Sequence, residues 1–255
     1  MEQGYVMDKL TAPLWEENQK VYASDTDFRA GGKLSFILDM MQHAADSAVA
    51  GMGVSLAEML RMNMGWMLMT LDVQIGSLPR QGDQLAVRTW CKGTKGPLWQ
   101  RDYRIFNGQG HEAVSARSVW ALVDTTKRKI LRPSAFPAEV QFYTGDSVGD
   151  IPEKVVIPQE IVLTEAYRYQ VRYSGLDNYG HLNNARYGDL CCDALPLTAF
   201  ETKQLRRFRI TYLQEATFGE EMVIQASVET SGGFYVRGVR ENKVYFEAHL
   251  DMDSE

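Results

Sequence analysis

The first strong pattern along the chain is helical. Apolar residues recur every three or four positions from residue 33 to about residue 50, and glycine follows where the pattern stops. This spacing predicts a long amphipathic helix that is buried on one side. Ser55 and Glu58 then form a capping-box pattern, in which the hydroxyl and the carboxylate each satisfy a backbone N–H group. They predict a second, short helix over residues 56–62.

After residue 62 the period changes from helical to extended. Segments rich in β-branched and aromatic residues alternate with short stretches that contain glycine, proline or asparagine. This alternation is typical of antiparallel strands joined by turns. The predicted strands cover residues 67–75, 84–92, 99–106 and 112–123.

The same order of elements returns in the second half. Residues 184–195 carry apolar side chains on one helical face before Pro196, and four further extended segments follow. Residues 144–158 contain glycine, proline and charges without an apolar period, which indicates a connection. We therefore divide the chain into an N-terminal repeat of residues 1–143, a linker of residues 144–158 and a C-terminal repeat of residues 159–255. The later strands are predicted at 208–213, 222–229, 234–239 and 244–250.

Short local matches support an internal duplication. Three residues ahead of the first long helix recur 150 positions later, ahead of the second: Val21, Ser24 and Asp27 match Val171, Ser174 and Asp177. A helix with one apolar stripe and a sheet with one apolar face are each stable only when covered. We therefore predict an α+β fold of two tandem repeats, each an antiparallel sheet curled around one long helix. The two sheets are expected to join edge to edge.

Composition and charge narrow the function classes. With 45% hydrophobic and 24% charged residues, the 255-residue chain falls in the globular range rather than the disordered one. A formal net charge of −6 removes the attraction that nucleic-acid binders use, so no nucleic-acid partner is expected. Three cysteines and four dispersed histidines offer neither a disulfide framework nor metal-ligand spacing. We expect no metal and no cofactor.

The sequence also predicts where the protein works. The longest uncharged apolar-rich run, residues 62–71, falls short of the ~20 residues of a membrane span. The first residues lack a charged-then-apolar signal pattern, and the cysteine usage fits a reducing compartment. We expect a cytoplasmic protein without a membrane span.

One histidine stands in a polar segment that could carry chemistry. His181 lies between Asp177 and the pair Asn183-Asn184, where a strand is predicted to end and a helix to begin. Unpaired backbone N–H groups at a helix start favour developing negative charge, as on the oxyanion formed when water attacks a carbonyl. The same residues could instead cap the helix and support the turn. The spacing alone does not decide between these two interpretations.

The segment Leu176-Asp-Asn-Tyr-Gly-His-Leu-Asn-Asn184 resembles the Leu-Asp-x-Asn-x-His-Val-Asn-Asn segment of acyl-acyl carrier protein thioesterases, here of bacterial type. The strand that ends in Glu215 resembles their downstream strand, and Trp90, Arg101-Asp102 and Ser118-Val-Trp120 resemble their N-terminal repeat. The likeness covers nearly the whole chain. It implies a double hotdog fold and hydrolysis of the thioester that links a fatty acyl chain to the carrier protein's phosphopantetheine arm, which releases free fatty acid.

The resemblance implies that Asp177, His181 and Glu215 are catalytic. In the hydrolysis that we predict, Glu215 or His181 removes a proton from water, Asp177 orients and charges the imidazole, and the helix start stabilises the oxyanion. Which of the two is the base stays open. A cysteine nucleophile cannot act from the position after the glutamate, because that residue is Ala216. The adjacent Cys191 and Cys192 are expected to be packed rather than reactive.

A second set of residues is expected to position the substrate. The family's middle asparagine corresponds to tyrosine in this chain, with an amide one place earlier, so this departure affects how water or the carbonyl is held. The proposed set is Asn178, Tyr179, Asn183 and Asn184. Eight of the twelve methionines lie between Met40 and Met69, where they either line an acyl tunnel or fill the core. The resemblance implies that the N-terminal repeat shapes the acyl pocket.

The expected partner is an acyl carrier protein that carries a fatty acyl chain. Because the carrier is acidic, docking needs a local basic patch rather than net attraction. The candidates are Lys127-Arg128-Lys129 and Arg206-Arg207, although such clusters are also typical of solvated turns. Two rival functions stay open, a hotdog dehydratase or hydratase on hydroxyacyl or enoyl thioesters and a non-catalytic acyl-thioester-binding protein. The sequence also leaves open whether the chain forms a homodimer.

Overall fold

The computed structural model describes residues 13–254, which fold into two similar successions of helix and strands. The first half contains β1 (Leu14–Lys20), α1 (Leu34–Gly51), α2 (Leu56–Arg61), β2 (Met64–Ile75), β3 (Gln84–Lys95), β4 (Leu98–Phe106), β5 (Glu112–Asp124) and the short β6 (Lys129–Ile130). The second half contains β7 (Leu163–Gln170), α3 (Arg186–Asp193), α4 (Leu197–Thr202), β8 (Lys203–Tyr212), β9 (Glu221–Ser227), β10 (Phe234–Arg240) and β11 (Lys243–Ser254). Single 3₁₀ turns lie at Ala23–Asp25, Pro133–Ala135 and Tyr173–Gly175.

All described strands belong to one antiparallel sheet. Ten of them follow the order β1-β3-β4-β5-β2-β8-β11-β10-β9-β7, and β6 pairs with β5. The two halves join where β2 pairs with β8, with Thr70 opposite Thr211 and Asp72 opposite Arg209. We call this β2–β8 pairing the seam. The predicted edge-to-edge joining of two sheets is confirmed, and so is the α+β double hotdog fold.

The long helix α1 and its partner α3 lie against each other inside the sheet. The buried side of α1 includes Ile37 and Ala44, as the apolar spacing predicts. Gly188 of α3 faces α1 so closely that a Cβ atom there would lie 3.1 Å from Leu34 Cγ and 3.1 Å from Leu38 Cδ1. The absence of a side chain at Gly188 therefore allows the two helices to approach.

Most predicted elements occur, and the differences have local causes. The capping box of α2 is present, with the Glu58 amide donating to Ser55 Oγ and the Ser55 amide donating to the Glu58 carboxylate. Helix α3 is shorter than the predicted 184–195, because the Ala185 amide donates to Asn183 Oδ1 and closes a turn before the helix begins. Strands β1 and β7 were not predicted. They are the two edge strands, and their largely polar sequences lack an alternating apolar face.

The segment between the repeats is fixed to both of them. The Val148 amide donates to Asp102 Oδ2 on β4 at 2.9 Å, and the Val155 amide donates to Thr211 Oγ1 on β8 at 2.8 Å. Both valines are buried. The connection therefore packs on the sheet across the seam.

Candidate functional site

The polar segment around His181 is a closed turn held by its own aspartate. Asp177 Oδ1 accepts hydrogen bonds from the backbone N–H of Tyr179 at 2.8 Å and of His181 at 3.1 Å. Gly180 has a φ of +78°, a conformation that glycine adopts without strain. The Leu182 amide donates to the Ala216 carbonyl at 2.8 Å, which ties the turn to the chain after β8. The turn thus fixes His181 beside the end of β8.

The structure brings His181 and Glu215 together. His181 Nε2 lies 3.6 Å from Glu215 Oε2, and the two side chains are 28% and 31% exposed. This separation is longer than a direct hydrogen bond. It allows one water molecule to contact both groups, and their partial exposure lets that water arrive. The pair can therefore hold a water molecule and take up its proton.

Arg128 is a third side chain at this site, and the sequence did not predict its contact with Glu215. Its Nη2 lies 2.7 Å from Glu215 Oε2, the same oxygen that faces His181. Lys243 Nζ is 3.4 Å from the Glu215 carbonyl oxygen. The signal was ambiguous in the sequence, because Arg128 appeared as one of three adjacent basic residues in a turn. The structure places the Lys127–Lys129 turn directly beside the carboxylate.

Asp177 contacts backbone amides rather than the imidazole. The resemblance predicts that this carboxylate orients and charges the ring of His181, whereas the hydrogen bonds described for Asp177 come from the backbone of the turn. The first amides of α3 are similarly engaged. Ala185 N–H donates to Asn183 Oδ1, and Arg186 N–H donates to the Asn183 carbonyl. Asp177 and Asn183 therefore stabilise the turn and the start of the helix. This agrees with the interpretation that residues of this segment cap the helix and support the turn.

The residues expected to position substrate have separate surroundings. Tyr179 O–H donates to the Met64 carbonyl at 3.2 Å, and its ring packs against Gly65 at the start of β2. Asn178 is exposed, and Asn183 accepts the Ala185 amide. Asn184 lines an internal cavity, and its carbonyl accepts from Tyr212 O–H. Of these four, Asn184 and Tyr179 lie against the N-terminal repeat.

Two apolar cavities adjoin the site. An outer pocket is walled by aromatic rings of the N-terminal repeat and by the second half of α1. A smaller inner cavity lies between α1, the sheet and the start of α3. Trp120 lines both, and its Nε1 donates to Ser118 Oγ at 2.7 Å, which fixes the ring. The aromatic residues of the outer pocket are Trp66, Trp99, Trp120 and Phe136.

The methionine-rich segment divides between both roles considered from the sequence. Met41 lines the inner cavity, and Met52 lines the outer pocket. Met40 and Met59 are buried in the two apolar core clusters. Aromatic side chains therefore outnumber methionines in the cavity walls. The tryptophans come from β2, β4 and β5, which are distant in sequence.

Asp46 introduces charge at the edge of the outer pocket. The surface of Asp46 is partly exposed, but many protein atoms lie around its carboxylate. This crowding removes water from the carboxylate and raises the pKa of Asp46 to about 6, although the charges of His43 and Arg101 lower it. Burial of the phenol is the main cause that raises the pKa of Tyr179, and the negative charge of Asp46 adds to it. Asp46 was not singled out in the sequence, where it is one acidic residue on an otherwise regular helix.

The second basic cluster lies away from His181. Arg207 makes a two-point ion pair with Asp72 on the neighbouring strand, with Arg207 Nε 2.8 Å from Asp72 Oδ1. Arg206 Nη1 donates to the Gly76 carbonyl at 3.0 Å. Both contacts lie at the opposite end of β2 from Met64, whose carbonyl accepts from Tyr179 in the turn of residues 177–182. The two basic clusters therefore do not form one surface at the site.

The cysteines are placed for packing. Cys191 is buried on α3 and Cys192 is half-buried beside it. Burial raises the pKa of both thiols above their usual range, so both are neutral near pH 7. Between residues 13 and 254, no cluster of three histidine, cysteine or acidic side chains is arranged to hold a metal ion. Within the same range, no helix combines the length and apolar character that crossing a membrane requires.

Two family models match the chain. The acyl-ACP thioesterase N-terminal domain matches residues 13–135, and the acyl-ACP thioesterase C-terminal domain matches residues 160–252. The chain belongs to the acyl-ACP thioesterase family. The family suggested by the motif around His181 is therefore confirmed.

Curated relatives of this thioesterase-family chain are plant proteins. A palmitoyl-acyl carrier protein thioesterase of Gossypium hirsutum is 24% identical over 198 residues, which are 75% of this chain and 48% of that protein. A dodecanoyl-[acyl-carrier-protein] hydrolase of Cinnamomum camphora is 25% identical over 203 residues, which are 76% of this chain and 52% of that protein. The chain spans about half the length of these relatives.

Solved structures of similar fold include bacterial ones. A putative oleoyl thioesterase from Lactobacillus plantarum has a TM-score of 0.83 at 18% identity, covering 96% of this chain and 97% of the other. An acyl-ACP thioesterase from Bacteroides thetaiotaomicron has a TM-score of 0.78 at 22% identity, covering 94% and 98%. At these identities the similarity establishes the fold of this thioesterase-family chain.

The raised pKa of Asp46 predicts a pH-dependent stability. Because its pKa in the folded chain, about 6, exceeds the ordinary value of 3.8, the stability associated with Asp46 is present at low pH and is lost as pH rises through about 6. Asp46→Asn should therefore raise the unfolding temperature at about pH 7.5 and have little effect at about pH 4. Thermal unfolding followed by circular dichroism measures this. Asp150→Asn, at an exposed position, is the control and should show no such trend.

Proposed function

We propose that the chain hydrolyses the thioester of fatty acyl-acyl carrier protein and releases free fatty acid. The observation that carries the proposal is the pair of His181 and Glu215, which lie 3.6 Å apart. Asn184, three residues after His181, lines an apolar cavity. Family membership supports the substrate class. The proposed setting is the cytoplasm, where free thiols such as those of Cys191 and Cys192 stay reduced.

In the proposed reaction, one water molecule lies between the imidazole of His181 and the carboxylate of Glu215. The pair takes the water proton as the oxygen attacks the thioester carbonyl carbon, and the same proton is then available to the departing thiolate. The C–S bond breaks, and the products are the fatty acid and the carrier thiol.

The acyl chain is proposed to occupy the N-terminal repeat. The aromatic outer pocket and the inner cavity lie on the same side of the sheet as α1, and Tyr179 of the catalytic turn touches β2 directly before Trp66. Binding would bury methylene groups against rings, which stabilises the complex by roughly 0.8 kcal/mol for each buried methylene. The length of the cavity should therefore determine which acyl chain length the protein prefers.

The acidic carrier is proposed to dock on the Lys127–Lys129 turn. Lys127 and Arg128 are each 74% exposed, and Lys129 is exposed as well. The turn lies beside Glu215, so a carrier bound there would present its acyl thioester close to the site. His181, Glu215 and Arg128 all come from one chain. The proposal therefore needs no second copy, and a homodimer stays an untested alternative.

Removal of either member of the pair should abolish most turnover. His181→Ala and Glu215→Gln are each expected to lower kcat at least about 100-fold, because positioned proton transfer contributes roughly 10²- to 10⁴-fold. Release of free thiol from acyl-carrier substrates measures this, with thermal unfolding as a check on folding. Cys191→Ala is the control and should keep its activity. Loss of activity in that variant instead, or water release from 3-hydroxyacyl substrates without thiol release, would contradict the proposal.

The docking turn should distinguish carrier-bound from small substrates. Lys127→Glu together with Lys129→Glu is expected to raise KM for acyl-carrier substrate, because two charges that face an acidic partner are reversed. Arg128 is left intact, since it contacts Glu215. Arg206→Glu, in the distant cluster, is the matched control and should change KM little. An equal rise in KM for a short synthetic thioester would assign the effect to folding or chemistry and exclude docking.

Trp120 should limit the length of the acyl chain. The outer and inner cavities share this side chain alone among their lining residues, so Trp120→Ala should join the two cavities into one space. The preferred substrate should shift toward longer chains, as measured by kcat/KM across acyl thioesters of increasing length. Trp90→Ala removes a buried tryptophan that lines neither cavity and should lower stability without this shift. An unchanged length profile in Trp120→Ala would refute the assignment.

A further inference from the structure

The N-terminal repeat contains a second copy of the catalytic turn. Asp27 Oδ1 accepts hydrogen bonds from the backbone N–H of Arg29 at 2.9 Å and of Gly31 at 3.0 Å. In the catalytic turn, Asp177 Oδ1 accepts from the residues two and four positions ahead at 2.8 and 3.1 Å. The two carboxylates, 150 positions apart, therefore make the same pair of backbone hydrogen bonds.

The surroundings of the two turns also correspond. The Gly32 amide donates to the Pro79 carbonyl at 2.7 Å, as the Leu182 amide donates to the Ala216 carbonyl at 2.8 Å. Each turn then pairs with the chain that follows a strand of the seam, through one bridge between Gly31 and Arg80 and another between His181 and Thr217. Gly31 thus occupies the place of His181.

The acid–base pair has no counterpart in the first turn. Leu78 precedes Arg80 by two residues, as Glu215 precedes Thr217, so Leu78 occupies the place of Glu215. A Cβ atom added to Gly31 would lie 3.2 Å from Leu78 Cδ1 and 3.6 Å from Asp27 Oδ1. The two positions face each other in both repeats, but in the first they carry no imidazole and no carboxylate. Asp27 makes its two hydrogen bonds there without an imidazole or a carboxylate at these two positions.

We infer that Asp177 is a positioning residue that holds the backbone of the turn, and so places His181 opposite Glu215, without taking or giving a proton. The inference rests on the proposed function of the His181–Glu215 pair. It differs from the role expected from the sequence, in which the Asp177 carboxylate acts on the imidazole ring itself. Its physical basis is that Oδ1 is engaged by two amides in both turns, whether or not an imidazole is present.

A neutral acceptor should be able to replace the carboxylate. The amide oxygen of asparagine can accept the same two backbone hydrogen bonds, whereas alanine can accept neither. A base displaced by about 1 Å can lose roughly 100-fold in rate. Charge and position can therefore be separated by comparing Asp177→Asn with Asp177→Ala.

Asp27 provides the matched control for the same experiment. Four variants, Asp177→Asn, Asp177→Ala, Asp27→Asn and Asp27→Ala, are assayed for kcat, KM, the pH dependence of kcat/KM and the unfolding temperature. Asp177→Ala should lower kcat about 100-fold with little change in KM, and Asp177→Asn should recover kcat to within about tenfold of the parent. The pH profile of Asp177→Asn should keep every ionisation of the parent's profile, because Asp177 itself neither takes nor gives a proton. Asp27→Ala should lower the unfolding temperature by a similar amount to Asp177→Ala and leave kcat near that of the parent.

Two results would overturn the inference. One is a loss of kcat in Asp177→Asn as large as in Asp177→Ala, and the other is a pH profile of Asp177→Asn that lacks one of the parent's ionisations. Either would mean that the charge of Asp177 takes part in the reaction. If Asp177→Ala does not fold, Asp177→Asn alone decides through these same two measurements. Failure of the proposed function would look different, because His181→Ala and Glu215→Gln would then keep the activity of the parent.

Discussion

The antiparallel pairing of β2 with β8 is the interaction on which the site depends. Thr70 lies opposite Thr211 at this seam, so the start of β2 and the end of β8 reach the same end of the sheet. Tyr179 of the catalytic turn can therefore contact Met64, and Arg128 of the N-terminal repeat can contact Glu215 of the C-terminal one. A shift of the seam by one residue would reverse the faces of β8 and separate these groups.

The sequence predicted the parts of this arrangement that depend on local pattern. The period of α1, the capping box of α2 and the strands on either side of the seam follow from spacing and turn residues, and the structure contains them. Motif resemblance led to His181 and Glu215, which the fold brings to 3.6 Å. The contact of Arg128 with Glu215 was not predictable in the same way. It joins residues 87 positions apart, and a basic turn gives no local signal of its partner.

The aromatic pocket escaped prediction for a related reason. Trp66, Trp99 and Trp120 lie on three different strands, and each looks in the sequence like an ordinary strand residue. Only the register of β2, β4 and β5 places Trp99 opposite Trp120 and brings the edge of Trp66 against Trp99, with ring centroids 5.4 Å apart. The methionines were more visible because they are clustered along the chain. Sequence clustering is a weak guide to a cavity wall that is assembled across strands.

Duplication explains how one chain can contain two similar halves of which only the second carries the pair of His181 and Glu215. Two turns of the same construction remain, because Asp27 and Asp177 each satisfy backbone donors that the turn would otherwise leave unpaired. Both halves therefore need the turn in order to fold, whereas the side chains four residues after the aspartate can differ. Gly31 and Leu78 leave the first turn without an acid–base pair, while the N-terminal repeat widens into the aromatic pocket. In the proposed function the thioester lies at His181, so one turn with an acid–base pair is sufficient for the reaction.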